Sequence, residues 1–182
     1  MTEILTAVLS PGESPVIAAT ASRLIAAGWR TVPGDSPVDA VIFDPGLLDG
    51  SVPDNPAEQL LGLTEDLLPR LRHRKDGGAA IVVIGSRDQL GWGARPALAA
   101  AAGALASVTR SLALDLAPRG VSVNLVAGAH SGDEPRGLLP DAVSAADIAE
   151  AVAFFADPRS RYITGQLMFC SGGSHLLSSM SG

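Results

Sequence analysis

Two uninterrupted apolar runs, "AAIVVIGS" at 79–86 and "VSVNLVAG" at 121–128, most constrain how this 182-residue chain can fold. Runs of this length without alternating polar residues are typical of strands that are buried on both faces of a parallel sheet. Longer helical patterns separate these runs from the other apolar runs, and this alternation indicates a sheet with helices on both faces. We therefore expect a three-layer α/β fold with a mostly parallel sheet of about six strands.

Apolar periodicity and capping residues predict the individual elements. Ser14 is a possible N-cap with Pro15 at the first helical position, and Ser144 with Asp147 has the pattern of a capping box. We find no internal repeat and no boundary, so we expect one domain over 1–182. Strands are predicted at 4–10, 30–34, 38–46, 79–86, 121–128 and 166–173, and helices at 14–29, 55–74, about 96–117 and 144–157.

The charge balance excludes one class of partner and leaves one segment open. The chain carries a formal net charge of −6 at neutral pH, which is unsuited to binding the phosphate backbone of nucleic acid. The basic segment "RLRHRK" at 70–75 is the local exception. We interpret it as the last turn of the helix predicted at 55–74, where positive charge complements the helix dipole. An anionic ligand is the alternative.

Cysteine content and hydropathy predict the compartment. Cys170 is the single cysteine, so no intrachain disulfide is possible, and its apolar neighbours predict a buried structural thiol in a reducing compartment. The start, "MTEILTAVLSPGE", lacks the features of a secretory signal. The longest apolar run, "PALAAAAGALASV" at 96–108, is too short to span a bilayer. We expect a cytoplasmic protein without a membrane segment.

Several segments of the chain resemble the short-chain dehydrogenase/reductase family. They run from "LLPRLR" and "AAIVVIGS" through "SVTRSLALDLAPRGVSVNLVAG" to "SAADIAEAVAFFAD" and "RYITGQLMFCSGG". The resemblance implies a Rossmann-type fold in a reduced form. Between Asp35 and "VDAVIF" the chain has almost no residues, whereas the family has a helix, a strand and a second helix there.

The catalytic residues that the resemblance implies are not at their positions. The family uses a Ser, a Tyr and a Lys, with the Tyr and Lys four residues apart on one face of a helix, so that the Lys can lower the pKa of the Tyr. Anchored on "SVTRSLAL", those two positions hold Leu98 and Ala102. Ser86 matches the family serine but stands alone, and the only tyrosine is Tyr162. We therefore expect no catalytic residues in this chain.

The family's glycine-rich cofactor loop is also replaced. Its counterpart is "SPGESPVI" at 10–17, with Pro11, Pro15 and Ile17 at the glycine positions. Prolines remove amide donors, and Glu13 adds a negative charge where the family binds pyrophosphate. We expect that this chain binds no NAD(P), which would be carried by a partner.

The segments that resemble the family best are those that form subunit contacts in it, namely the two long helices and the last helix and strand. This retention predicts a non-catalytic subunit that pairs with an intact family member, as a 2:2 hetero-oligomer acting on a 3-hydroxyacyl or 3-ketoacyl thioester or another secondary alcohol. An ordinary core helix is the alternative reading of 96–117. The predicted interface residues are Leu60, Leu67, Leu71, Leu98, Ala102, Leu105, Thr109, Leu112, Phe155, Met168 and Phe169.

Two other functions stay open. One is an enzyme with altered chemistry, using Ser86, Asp88, His130 or Asp133 at the mouth of the cleft. The other is a homo-oligomeric protein that binds a small molecule in the vacated cofactor cleft. No cluster has metal-ligand spacing, and the histidines at 73, 130 and 175 are expected to be solvated surface residues.

Overall fold

The strands of the computed structural model form one fully parallel sheet. The structure describes residues 4–10, 13–32, 37–130 and 137–177. The strands are β1 (Thr6–Ser10), β2 (Arg30–Thr31), β3 (Ala40–Phe43), β4 (Ala79–Ser86), β5 (Val121–Gly128) and β6 (Leu167–Cys170), and they lie in the order β2-β1-β3-β4-β5-β6. The six-stranded parallel sheet confirms the predicted fold class. Between β2 and β3, residue 32 and residues 37–39 are described, and none of these is helical.

Helices cover both faces of this sheet. They are α1 (Pro15–Ala26), α2 (Pro56–Leu67), α3 (Pro96–Leu116), α4 (Ala145–Ala156) and the short α5 (Ser174–Leu177). The side chains of α2 and α3 share one apolar cluster with Ile81 and Leu125 of the sheet. Those of α1 and α4 share the opposite cluster with Val82 and Val126. Every residue of β4 and β5 is buried, as their apolar runs predict.

Capping residues set the starts of α1 and α4. The Ser14 hydroxyl accepts a hydrogen bond from the Ile17 amide at 3.0 Å, and Pro15 is the first residue of α1. At α4, Ser144 and Asp147 form a reciprocal capping box, in which each side chain accepts from the other's backbone amide. Both predicted caps are confirmed.

The end of α2 differs from the prediction. The helix ends at Leu67, because Pro69 has no amide hydrogen with which to continue the helix. Leu71 then forms a parallel bridge with Val38, and the last two residues of "RLRHRK" belong to the 3₁₀ helix Arg74–Asp76, so this segment is not part of α2. The interpretation of this segment as the basic last turn of a helix is wrong.

The alanine-rich helix α3 buries one face only. Leu98, Ala102 and Leu105 face the sheet, each at most 1% exposed, whereas Leu114 on the opposite side is 78% exposed. Together with the 3₁₀ helix that follows it, α3 makes a helix of 24 residues, and an 18-residue stretch of it has mean hydropathy 1.5, so it could cross a membrane by length and composition alone. The apolar run at 96–108 is therefore part of a longer helix. Its packing against the sheet is that of a core helix, and such helices pass the same test.

Burial also corrects the predicted interface residues. Leu60, Leu67, Leu71, Leu98, Ala102, Leu105, Thr109, Leu112 and Phe155 are all buried within this chain. Their side chains are covered by the chain's own sheet and helices, so they are core residues of this chain. Met168 and Phe169, on the edge strand β6, are half-buried. Cys170 is half-buried as well, and the pKa of its thiol is raised by burial and then by the negative charge of Asp147.

Candidate functional site

The parallel sheet gathers the candidate residues at one edge. The carboxyl ends of parallel strands face the same way, and this is where α/β sheets bind ligands. Ser86 is the last residue of β4, and Gly128 is the last residue of the neighbouring β5. His130 follows Gly128 after one residue, so the strand pairing alone brings it close to Ser86.

Ser86, Asp88 and His130 form a buried polar cluster at this edge. His130 Nε2 lies 3.0 Å from Ser86 Oγ and 3.1 Å from Asp88 Oδ2. The Asp88 amide donates to Ser86 Oγ at 3.1 Å. The three residues are 1%, 0% and 7% exposed, in the order Ser86, Asp88 and His130. All three side chains are therefore buried at the carboxyl edge.

Arg95, which directly precedes α3, also binds this cluster. Its Nε and Nη2 donate to the two carboxylate oxygens of Asp88 at 2.9 Å and 3.3 Å. Burial by itself would raise the pKa of Asp88, but hydrogen bonds from His130 and Arg95, together with the positive charge of Arg95, lower it below its ordinary value. The guanidinium groups of Arg95 and Arg87 also lie over the Trp92 ring, at 5.2 Å and 4.4 Å from its centroid. Asp88 is therefore an ionised carboxylate that is hydrogen-bonded to both Arg95 and His130.

This geometry is not that of a nucleophilic serine triad. In such a triad the serine and the carboxylate bind opposite nitrogens of the imidazole, so that a proton can pass through the ring. Here Ser86 and Asp88 meet the same nitrogen. Nδ1 of His130 is buried and has no hydrogen-bond partner in the part of the chain that the structure describes. The cluster orients the imidazole towards the carboxylate and gives Ser86 no separate base.

The face of α3 next to this cluster is apolar. Leu98 and Ala102 lie one helical turn apart, and both belong to the apolar cluster that contains Phe43 and Ala127 near the carboxyl ends of their strands. Each is 1% exposed. At these positions the chain presents only hydrocarbon groups to the strand ends.

The tyrosine and the lysine of the chain lie at the opposite edge of the sheet. Tyr162 is the only tyrosine and Lys75 the only lysine of the sequence. Tyr162 precedes the amino end of β6 and is fully exposed, and Lys75 precedes the amino end of β4 and is exposed. Because β4 has eight residues, Lys75 lies roughly 20 Å or more from the level of Ser86.

A cavity of about 390 Å³ lies at the carboxyl edge, where α1 and α4 begin. Asp44, which is 4% exposed, accepts from the Ser14 hydroxyl at 2.5 Å and from the Gly46 amide at 2.9 Å. Hydrogen bonds from the side chain and the backbone of Ser51 lower the pKa of Asp49, another lining residue. The lining residues are Glu13, Ser14, Pro15, Val16, Asp44, Gly46, Leu48, Asp49, Ala129, Val143, Ser144, Ala145 and Ile148, and none of these described residues is basic.

Apolar side chains cover the end of β5 inside this cavity. A Cβ atom on Gly128 would lie 2.7 Å from Leu48 Cδ1 and 3.0 Å from Ile148 Cδ1. Real Cβ atoms do not approach other atoms so closely, so Leu48 and Ile148 pack directly on the backbone of Gly128. The surface above this strand end is therefore hydrocarbon that belongs to the chain.

The structure changes the prediction for two of the three histidines. His130 is buried, because the β4–β5 pairing places it between Ser86 and Asp88, and the spacing of these two acceptors after a buried strand is the signal that could have found it. His175 is half-buried, stacks on Phe169 with 4.2 Å between ring centroids and contacts Ser171 Oγ at 2.7 Å. His73 is exposed, as predicted.

The remaining predicted residues are placed as follows. Ile17 is buried in α1, and its amide is used by the Ser14 cap. Pro11 and Asp133 lie outside the described residues. Over the described ranges, no group of three or more His, Cys, Asp or Glu side chains could hold a metal ion.

Comparisons with known proteins agree with this fold. Residues 59–175, more than half of the chain, match the family described as enoyl-(acyl carrier protein) reductase. The chain is 36% identical over 122 residues to the (2S)-[(R)-hydroxy(phenyl)methyl]succinyl-CoA dehydrogenase subunit BbsC of Thauera aromatica, covering 59% of this chain and 48% of that protein. It is 35% identical over 112 residues to the 3-oxoacyl-[acyl-carrier-protein] reductase FabG of Escherichia coli (strain K12), covering 53% and 46%. It thus spans about half the length of the curated relatives it matches.

Solved structures extend the likeness over nearly the whole chain. A short-chain dehydrogenase/reductase from Burkholderia thailandensis superimposes with a TM-score of 0.79 at 19% identity, covering 98% of this chain and 96% of that one. A short-chain dehydrogenase family protein from Francisella tularensis gives 0.74 at 20% identity, covering 93% and 98%. At such identities these structures establish the fold alone. With the profile match and the related reductases, they show that the chain belongs to the short-chain dehydrogenase/reductase family.

Proposed function

We propose that this chain is a non-catalytic subunit that assembles with an intact, NAD(P)-dependent member of its own family. The observation that carries the proposal is the position of its only tyrosine and its only lysine at the edge of the sheet opposite to Ser86. Proton transfer in this family needs a phenol and an ammonium group on one helical face next to the serine. This chain has Leu98 and Ala102 on that face of α3, and both are buried.

The cavity at the carboxyl edge does not suit the dinucleotide that the family implies. A helix N-terminus attracts phosphate through its free amides and its dipole. At α1 the carboxylate of Asp44 already occupies this position through the Ser14 hydroxyl, and Pro15 offers no amide hydrogen. Glu13 and Asp49 add further negative charge among the lining residues. We therefore propose that the partner binds the NAD(P).

The exposed surface of α2 and α3 supports the proposal of a partner subunit. The side of α3 that faces away from the sheet carries small exposed residues such as Ala100, Ala104 and Ser107, and the adjacent α2 exposes Leu61 and Gly62. Small residues let two helices approach closely. We propose that this outer side of α2 and α3, rather than the buried residues predicted from sequence, contacts the partner.

The relatives suggest the class of reaction for the assembled enzyme. BbsC is by its name a subunit of a dehydrogenase of an acyl-CoA thioester, and FabG is by its name a reductase of 3-oxoacyl groups. We propose that the complex acts on a 3-hydroxyacyl or 3-ketoacyl thioester, with the chemistry in the partner.

Native mass spectrometry of the co-expressed proteins tests this proposal. The chain is expressed with the reading frames that neighbour its gene, and the intact complex is weighed. We expect equal copies of this chain and of a longer family member, and calorimetry of that complex should give one NAD(P) site per partner copy. A stable species containing this chain alone, or a dinucleotide site on every chain, would contradict the proposal.

A matched pair of variants tests the contact surface. Ala104→Arg places a charge on the exposed side of α3, and Ala18→Arg places the same charge on an exposed position of α1, on the other face of the sheet. We expect Ala104→Arg to separate the subunits and Ala18→Arg to leave the complex intact, while both variants melt like the parent chain. The reverse pattern would show that the outer side of α2 and α3 is not the interface.

One observation favours a second candidate, an altered site of this chain's own. His130 presents a buried Nδ1 without a partner in the described residues, next to Ser86 and Asp88. A small polar ligand that binds this nitrogen would give the chain a binding function. Replacing His130 with Asn would then remove binding of that ligand without disturbing assembly with a partner.

A further inference from the structure

A second pocket lies at the amino edge of the sheet, away from every residue of the candidate site. Its volume is about 450 Å³, within the range of small-molecule sites. The lining residues are Pro37, Pro69, Arg70, Leu71, Arg72, His73, Asp76 and Arg119. Three arginines therefore line one pocket in a chain whose overall charge is negative.

The backbone holds two of these arginines in place. The Val38 amide donates to the Arg70 carbonyl at 2.8 Å, and the Arg72 amide donates to the Val38 carbonyl at 3.0 Å. Arg70 and Arg72 therefore flank the single bridge between Leu71 and Val38, and the side chains of both line the pocket. Pro69 produces this arrangement by ending α2, so the basic segment forms a pocket wall instead of a solvated helix end.

The chain's own hydrogen-bond acceptors pair with only some of the arginine donors at this pocket. Arg72 Nε donates to Asp39 Oδ1 at 2.6 Å, and Arg119 Nη2 donates to the Leu68 carbonyl at 2.9 Å. Arg70 is different, because its Nε and Nη2 are buried and have no acceptor among the described residues. Buried donors are nearly always paired, and a buried charged donor without an acceptor costs folding free energy.

Few carboxylates lie near this pocket. Asp39, which does not line the pocket, also accepts from the Thr6 amide at 2.8 Å, and Asp76 is the only carboxylate among the described lining residues. Arg74 and Lys75, which are exposed, continue the basic segment beside the pocket. The surroundings of the pocket therefore carry an excess of positive charge.

We propose that this pocket binds the phosphate group of a small phosphorylated molecule, with Arg70 as its main ligand. Nε and Nη2 form the side-on edge of a guanidinium group, whose two parallel N–H groups match two oxygens of a phosphate. Arg119 Nε, also buried and without an acceptor in the described residues, supplies a further donor at the pocket. The volume leaves room for the organic part of the ligand. This site is independent of the proposed subunit function, because it uses no residue of the carboxyl edge.

Calorimetry on the full chain at fixed ionic strength tests the proposal, with phenyl phosphate and inorganic phosphate as probes and chloride as the background ion. We expect saturable binding of one phenyl phosphate per chain and weaker binding of inorganic phosphate. Equal affinity for both would identify the free anion as the ligand and the organic part as irrelevant, which overturns the assignment to a phosphorylated molecule.

Arg70→Met is the decisive variant, with Arg110→Met on the exposed side of α3 as its matched control. We expect Arg70→Met to weaken phenyl phosphate binding by about tenfold or more, as the loss of a bidentate charged hydrogen bond implies. Without ligand it should melt no lower than the parent, because the unpaired charge is gone. Arg110→Met should bind like the parent.

Three results would overturn the proposal. They are an absence of saturable binding to the parent chain, equal binding by Arg70→Met, and binding of a polyanion such as heparin without binding of phenyl phosphate. If Arg70→Met does not fold, Arg70→Lys serves instead, since it keeps the charge and lacks the side-on edge. Undiminished binding by Arg70→Lys would then refute the role of that edge.

Discussion

The start of α1 gives the sharpest quantitative prediction. The Ser14 hydroxyl accepts from the Ile17 amide at 3.0 Å and donates to the buried Asp44 carboxylate at 2.5 Å. Ser14→Ala removes the helix cap, which costs about 1 kcal/mol, and deprives a buried carboxylate of a donor, which costs about 1–3 kcal/mol. We expect the free energy of unfolding to fall by about 3 kcal/mol. Ser144→Ala removes a cap whose partner, Asp147, is exposed, so its effect should be about 1 kcal/mol.

Urea denaturation of the parent, the two serine variants, Asp44→Asn and the double variant Ser14→Ala/Asp44→Asn measures these values. The double-mutant cycle should give a coupling of about 1 kcal/mol or more between Ser14 and Asp44, because the two side chains share one hydrogen bond. Equal losses for Ser14→Ala and Ser144→Ala, or a coupling near zero, would refute the conclusion that Asp44 depends on the cap of α1.

Three further predictions follow from burial and charge. The folded-state pKa of Asp88 is lowered, so its contribution to stability is present above its unfolded pKa of about 3.9 and is lost as the pH falls through the folded value. Denaturation from pH 7 to 3 should therefore show a gap between the parent and Asp88→Asn that narrows in acid, and a constant gap would contradict this. Ala102→Lys, which buries a charge, should cost at least about 4 kcal/mol in urea, whereas Ala100→Lys on the exposed side of the same helix should stay within about 0.5 kcal/mol. Gly62→Ala in α2, where an added Cβ meets nothing within 4 Å, should raise the free energy of unfolding by about 0.5–1 kcal/mol, and a lower melting temperature would show that this helix face is covered.

The fold was predictable because its signals are local. The uninterrupted apolar runs of β4 and β5 need only burial on both faces to be recognised, and their bounds agree with the prediction. The caps at Ser14 and Ser144 depend on residues within one turn. The end of α2 was missed because the apolar stripe continues to Leu71. That residue is buried through its bridge to Val38, a contact that no periodicity can indicate.

The candidate site was less predictable, because it depends on which strands pair. His130 and Ser86 are far apart in sequence and meet only because β5 lies in register beside β4. The predicted interface residues show a second limit of sequence patterns. An apolar stripe records that a face is buried, and it does not record whether the covering surface is the chain's own sheet or a partner. Leu98 and Leu105 are covered by the sheet.

The carboxylate at the start of α1 has a consequence for how the protein responds to its surroundings. A fold stabilised by a dissolved ligand becomes more or less stable as the concentration of that ligand changes. Asp44 is tethered to the helix start that it neutralises, so its effective concentration there is fixed by the chain itself. The contribution of this one contact to stability is therefore the same whether the surrounding solution is rich or poor in phosphorylated metabolites.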